Sequence, residues 1–138
     1  MHLPFLQALL PSFRLVPIVT GEANPAAVAE VVAPCMTDGV LLIASSDFSH
    51  YHPDAEARKI DRGSIDAILS GSVDGPIDAC GATAVRTVMI VARGMGLTPV
   101  LLDARNSYET APVMYKDESR VVGYASIAFV KKSAKEKR

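Results

Sequence analysis

Cysteine is scarce in this chain, and its spacing does not suit a structural role. Cys35 and Cys80 are the only two cysteines, they lie 45 residues apart, and neither belongs to a Cys-x-x-Cys pair. This usage argues against a structural zinc site and against a scaffold held by disulfides. A reducing, cytoplasmic setting fits it best.

The chain also lacks the positive charge and the long apolar runs that point to nucleic acid or membranes. Its formal net charge is −1, with five basic and one acidic side chain in residues 131–138, against nine basic and fourteen acidic side chains in residues 1–130. An acidic body gives no electrostatic reason to expect nucleic-acid binding. No stretch approaches the roughly 18 apolar residues that span a bilayer, and the first ten residues make a poor signal peptide. We therefore expect a soluble protein with no membrane partner.

What the chain does have is enough apolar sequence for a core. Apolar residues make up 49% of its 138 positions, and this length is typical of one domain. We expect a single domain over residues 1–130. Residues 131–138 are predicted to be a solvated basic tail.

Strand and helix patterns alternate along the chain. Strands are predicted at 13–19, 40–45, 99–102 and 121–130, and helices after Asn24-Pro25, after Pro53-Asp54 and from about Cys80 to Arg93. Pro17 removes a ladder donor from the first strand and suggests an edge or a bulge. Cys35 falls on the apolar face of the first helix and is predicted to be core. The order predicts an α/β fold with three layers, in which helices flank a mostly parallel sheet.

The most informative segment is the apolar run at 40–45, which ends abruptly in Ser-Ser-Asp-Phe-Ser-His. Ligands of open α/β sheets bind beyond the carboxyl ends of such buried strands, so Asp47 and His50 are candidate site residues. The alternative is that Asp47 caps the following turn and the histidine is an exposed loop residue. A Ser-type hydrolase is disfavoured, because no Gly-x-Ser-x-Gly elbow surrounds the serines and their hydroxyls can bond local backbone.

Cys80 is the second candidate, since Asp78-Ala79-Cys80-Gly81 places a thiol at the predicted start of an apolar helix. The unpaired amides of a helix start favour negative charge, so this thiolate could act as a metal ligand or nucleophile. Gly81 would leave room for a ligand to approach. The alternative is a buried, inert cysteine. If the first reading holds, Cys80 reacts with thiol reagents faster than Cys35.

Taken together, the motifs resemble those of the Memo family, called AmmeMemoRadiSam system protein B in bacteria and archaea. The similarity covers the C-terminal part of that family and nearly all of this chain. The segments that carry it are residues 1–6, 16–18, 45–51, 79–81, 104–107 and 120–125. The Ser-Ser-Asp-Phe-x-His stretch is the most specific of them.

The resemblance implies a fold similar to class III extradiol dioxygenases, with iron or copper bound in a corresponding pocket. Cys80 matches the family's cysteine metal ligand, and Asp47 and His50 match the aspartate and histidine that line the pocket as an acid/base pair or as groups that orient a bound molecule. The family also takes two histidine ligands from an N-terminal half that has no counterpart here. Metal binding by this chain is therefore expected to be weak.

Two classes of function follow from this resemblance. One is a metal-dependent oxidoreductase of dioxygenase type, although a cysteine in place of the usual carboxylate of a facial triad counts against standard ring opening. The other is a non-catalytic interaction protein that binds a small molecule or peptide in the same pocket. An apolar surface left by the absent half would favour a homo-oligomer or a separate chain that supplies that half.

Overall fold

The computed structural model describes residues 2–111 and 113–131, without the side chain of residue 115. Its α-helices are α1 (Leu3–Leu9), α2 (Pro25–Val32), α3 (Asp54–Leu69), α4 (Ala82–Gly94) and α5 (Ser107–Thr110), and its strands are β1 (His50–His52), β2 (Leu97–Asn106) and β3 (Val121–Lys131). Short 3-10 turns span Ala33–Cys35 and Val113–Tyr115. Lys131 ends β3, and the rest of the predicted basic tail lies outside the described residues.

Helices α2 and α3 begin where the sequence predicts them. The Asn24 side chain accepts a hydrogen bond from the Ala26 N–H at 2.8 Å, and Pro25 occupies the first position of α2. Helix α3 begins at Asp54, directly after Pro53. It ends at Leu69, and Gly71 follows at φ +75°, a left-handed conformation that glycine adopts readily. None of the helices in the described part of the chain is long and apolar enough to cross a membrane.

The mixture of helices and strands agrees with the prediction, but the predicted parallel pairing is wrong for the described residues. Their sheet has three strands in the order β1-β3-β2, and both ladders are antiparallel. Between β2 and β3 the chain contains only the four-residue helix α5 and a 3-10 turn. A parallel crossover usually needs a full helix packed across the sheet, which this link lacks, and the link instead returns the chain in the opposite direction.

Two predicted strands and one predicted core residue are also corrected. Residues 13–19 and 40–45 are described, but neither segment forms a strand. A strand requires a hydrogen-bonded neighbour, and nothing in the described part of the chain pairs with these segments. Cys35 is exposed in its 3-10 turn rather than buried. The predicted strand at 99–102 is part of the longer β2.

The hydrophobic core lies between α3, α4 and β3. Its buried centre is formed by Phe48, Ile65, Ile68 and Met89. Partly buried side chains of β3, Ala125, Ile127 and Phe129, pack against this centre. Because Phe48 is anchored in the core, its chain neighbours are held at a fixed place on the surface.

Candidate metal-binding site

Asp47, His50 and Cys80 converge, as the sequence predicts. One potential ligand atom from each residue lies within 4.8 Å of those from the other two. His50 is half-buried, and Asp47 and Cys80 are exposed. Asp47 precedes β1, His50 is the first residue of β1, and Cys80 follows much later in the chain, so distant segments form a single cluster of oxygen, nitrogen and sulfur donors.

The position of Cys80 is set by hydrogen bonds between two loops. The Asp47 N–H donates to Cys80 Sγ at 3.3 Å, and the Cys80 N–H donates to the Asp47 carbonyl at 3.1 Å. Ser46 Oγ accepts from the Gly81 N–H at 2.8 Å and lies 3.6 Å from Cys80 Sγ. Its hydroxyl also lies 2.8 Å from the Asp47 carbonyl, which confirms the local role predicted for it. The two loops thus pair much as neighbouring strands do.

This contact corrects two details of the sequence interpretation. Helix α4 begins at Ala82 with Gly81 as its N-cap, so Cys80 precedes the first turn rather than lying in it. Gly81 does not leave space for a ligand, because a Cβ there would lie 2.8 Å from the Cβ of Ser46. The glycine instead permits close approach of the two loops.

The backbone directly before His50 is held by a buried carboxylate. The Ser49 N–H donates to Asp61 Oδ1 at 2.9 Å, while Phe48 and Ser49 exchange backbone hydrogen bonds of 2.9 Å with Gly123 of β3. The hydroxyl of Ser49 is fully buried and has no partner within the described ranges. A side chain at position 123 would collide with the carboxylate of Asp61, so only glycine fits. This arrangement fixes the position of the backbone that leads into His50.

The backbone of β1 is irregular at Tyr51, which lies between the two histidines of the strand. It adopts φ +63°, uncommon for a residue with a side chain, where the pairing with β3 shifts register. His50 joins the cluster, whereas His52 Nδ1 lies 3.2 Å from Glu56 Oε1. The guanidinium of Arg120 lies 5.0 Å from the centre of the Tyr51 ring.

A shallow pocket of about 230 Å³ opens beside the cluster. Asp47, Cys80, His2 and Tyr124 contribute to its walls, together with small residues of the adjoining segments. Burial raises the pKa of the Tyr124 phenol, and the negative charge of Asp47 raises it further. Sequence reasoning did not select His2 or Tyr124. For Tyr124 a signal was available, because it lies within the matched segment 120–125 and alternates with the buried Gly123 along β3.

Comparison with known proteins decides the family. Residues 1–128 match the family described as Memo-like protein. The chain belongs to the Memo family. A MEMO1 family protein of Archaeoglobus fulgidus is 35% identical over 93% of this chain and 52% of its own length. MEMO1 family proteins of Thermoplasma volcanium and Sulfolobus acidocaldarius are each 32% identical, over 91% and 93% of this chain and 49% of their own lengths. This Memo-family chain thus spans about half the length of the curated relatives it matches.

Proposed function

We propose that this chain binds a transition metal, iron or copper, through Cys80, with Asp47 and His50 beside it in the same cluster, and that the site serves a metal-dependent oxidoreductase reaction of dioxygenase type. The observation that carries the proposal is the convergence of the three donor atoms within 4.8 Å. Family membership supports it, because the residues that match the family's metal pocket are the ones that converge.

The donor set fits such an ion in both distance and chemistry. The three groups lie within 4.8 Å of one another. A metal–sulfur bond of about 2.3 Å at Cys80 would therefore place the ion close to the Asp47 carboxylate and the His50 imidazole. Thiolate sulfur favours soft ions such as Cu(I), and imidazole suits iron as well as copper. The exposed carboxylate and thiol leave one side of the site open to solvent.

The three residues would hold different roles. Cys80 Sγ is the proposed direct ligand, and its position is set by the Asp47 N–H. The Asp47 carboxylate and the His50 imidazole would orient a bound substrate or water and exchange protons with it. The Tyr124 hydroxyl, which lines the same pocket, could donate a hydrogen bond to the same molecule. The metal, when bound, supplies Lewis acidity and single-electron chemistry.

Titration with Co(II) under anaerobic conditions tests the metal site. We expect one ion per chain, a sulfur-to-metal charge-transfer band, and binding weak enough to be lost on gel filtration, because the site is open on one side. Cys80→Ala should abolish the band, and Cys35→Ala, a matched change at the other exposed thiol, should retain it. An unchanged spectrum in Cys80→Ala would refute the site, and an ion that survives gel filtration would contradict the weak binding.

Oxygen consumption tests the reaction separately. With Fe(II) and a catechol as substrate, we expect the chain to consume oxygen. The rate of consumption should fall at least tenfold in His50→Gln, and the affinity of that variant for Co(II) should fall by a smaller factor. Metal binding without oxygen uptake would leave the metal site standing and refute the oxidoreductase reaction.

The second candidate function is non-catalytic binding of a small molecule or peptide. The pocket favours it because Ser45, His2 and Tyr124 offer hydrogen-bonding groups that do not depend on a metal. A ligand whose affinity is equal in the wild type and in Cys80→Ala would support this function over the oxidoreductase.

A further inference from the structure

Helix α3 carries two buried polar side chains on its core-facing side. Asp61 is 9% and Ser64 2% exposed. Side chains three positions apart are neighbours on one face of a helix, with about 5–6 Å between their Cβ atoms. The other buried residues of this helix are Ala57, Ile65, Ala67 and Ile68. A polar side chain among such residues is destabilising unless it is hydrogen-bonded, so the partners of Asp61 and Ser64 indicate what each one does.

Ser64 connects α3 to the segment that carries Cys80. Its hydroxyl accepts a hydrogen bond from the Asp78 N–H at 3.0 Å and donates one to the Ile60 carbonyl at 3.2 Å. Asp78 lies two residues before Cys80. Because the same hydroxyl bonds to the helix and to the loop, it holds the approach to Cys80 at a fixed distance from α3.

Asp61 connects the same helix to the segment that carries His50. Its carboxylate accepts a hydrogen bond from the Ser49 N–H at 2.9 Å, directly before His50. None of the ion pairs in the described part of the chain involves Asp61. Its contribution is therefore that of a hydrogen-bond acceptor rather than that of a charge partner.

The two segments also bind each other, which closes a ring of hydrogen bonds. The Asp47 N–H donates to Cys80 Sγ, and the Cys80 N–H donates to the Asp47 carbonyl. Helix α3 forms the opposite side of the ring. The helix is itself fixed, because Ile65 and Ile68 belong to the buried centre of the core. The spacing between His50 and Cys80 is therefore referred to one rigid element.

We infer that Asp61 and Ser64 are a pair of positioning residues that set the spacing of His50 and Cys80 through the backbone of the two segments. Neither belongs to the donor cluster or lines the pocket beside it. This inference rests on the proposed function, because it assigns the pair to the metal site of that function. Removing a group that orients a metal ligand from outside the coordination sphere typically lowers metal affinity by about 10–100-fold.

Titration of full-length variants with Co(II) under anaerobic conditions tests the pair. Ser64→Ala and Asp61→Ala should each lower the affinity for Co(II) by about tenfold. Ser64→Ala should also shift the sulfur-to-metal charge-transfer band, because the Cys80 sulfur changes its orientation to the ion. Asp61→Asn retains an oxygen acceptor at the same place and should restore the affinity that Asp61→Ala loses.

Ile65→Val is the control for a general loss of stability. It removes one methyl group from the buried side of the same helix and leaves both hydrogen bonds in place. Although it destabilises the core, it should retain the affinity and the band of the wild type. If Asp61→Ala does not fold, Ser64→Ala and this control decide the test.

Amide hydrogen exchange of the metal-free chain gives a second readout. Ser64→Ala should speed exchange at the Asp78 and Cys80 amides by about tenfold, and exchange within α4 should change less, because the two segments open locally. Asp61→Ala should act in the same way on the Ser49 amide. This readout separates the two proposals, since a wild type that binds no Co(II) would refute the metal site and leave the exchange rates to decide the positioning.

Several results would overturn the inference. Unchanged Co(II) affinity in both alanine variants is one, and an equal loss in Ile65→Val is another, because the loss would then follow stability alone. Asp61→Asn as weak as Asp61→Ala would make the charge the cause instead of the acceptor. In a chain that binds no Co(II), unchanged exchange at Asp78 and Cys80 in Ser64→Ala would do the same.

Discussion

Asp47 and Cys80 are joined by a reciprocal pair of hydrogen bonds: the Asp47 N–H donates to the Cys80 sulfur, and the Cys80 N–H donates to the Asp47 carbonyl. Each residue therefore positions the other, although the two are 33 positions apart in the sequence. A substitution at either residue should therefore also displace the other residue of the pair.

The two cysteines should differ in reactivity although both are exposed. Cys80 Sγ accepts an N–H, a bond that persists when the thiol loses its proton, whereas Cys35 Sγ donates to the Val31 carbonyl at 3.8 Å and loses that bond on deprotonation. Because the thiolate is the nucleophile, we expect Cys80 to react faster with a disulfide reagent. Stopped-flow labelling of Cys35→Ser and Cys80→Ser measures each thiol alone. Equal rates would contradict a functional role for Cys80.

Gly123 should be intolerant of a side chain. A Cβ there collides with the Asp61 carboxylate, which holds the Ser49 N–H beneath His50. Gly123→Ala should lower the free energy of unfolding by about 1–3 kcal/mol. Gly63→Ala is the matched control, because it lies within α3 with nothing within 4 Å of the added Cβ. It should raise the free energy of unfolding by about 1 kcal/mol. Urea unfolding measures both, and a neutral Gly123→Ala would refute the close packing.

The features that sequence predicted well are those whose cause is local. Asn24-Pro25 and Pro53-Asp54 specify helix starts through capping and a fixed φ, and no distant residue is needed for either. The sequence also indicates the candidate cluster, because Asp47 and His50 share one short motif and Cys80 belongs to a second motif of the same family.

The features that sequence missed depend on distant partners. The segments 13–19 and 40–45 have strand composition, but composition does not supply a neighbouring strand, and both remain unpaired in the described residues. The direction of β2 relative to β3 was predicted from the order of elements, although the link between them lacks a crossover helix. The sequence predicts space for a ligand at Gly81, because it does not show that Ser46 fills that space.

The left-handed backbone conformation of Tyr51 should lower the free energy of unfolding. This conformation costs a residue with a side chain about 1–2 kcal/mol of folding free energy, and a β-branched residue is the least tolerated there. Tyr51→Gly should therefore be more stable than Tyr51→Val by about 1–2 kcal/mol. Tyr108 is the matched control, since it lies in α5 with the amine of Lys116 5.2 Å from its ring centre. At position 108 the free energy of unfolding should not be higher with glycine than with valine. The same ranking of the two variants at both positions would contradict strain at Tyr51.

The last prediction concerns the charge of Asp47. Burial raises the pKa of Tyr124 above its ordinary value of 10.0, and Asp47 adds to the effect. Asp47→Asn should therefore move the pKa of Tyr124 only part of the way back towards 10.0, because burial, the larger cause, remains. A pKa that is higher in the folded state than in the unfolded chain contributes stability that is present below pH 10.0 and is lost as pH rises through the folded value. The loss of stability at high pH should accordingly be shallower in Tyr124→Phe.

Ring-labelled tyrosine NMR resolves Tyr124 among the four tyrosines, and Asp54→Asn, which removes a carboxylate that does not act on Tyr124, is the control. If the pKa of Tyr124 is the same in Asp47→Asn and in the wild type, the carboxylate of Asp47 does not reach the phenol, and the two do not act on one bound molecule.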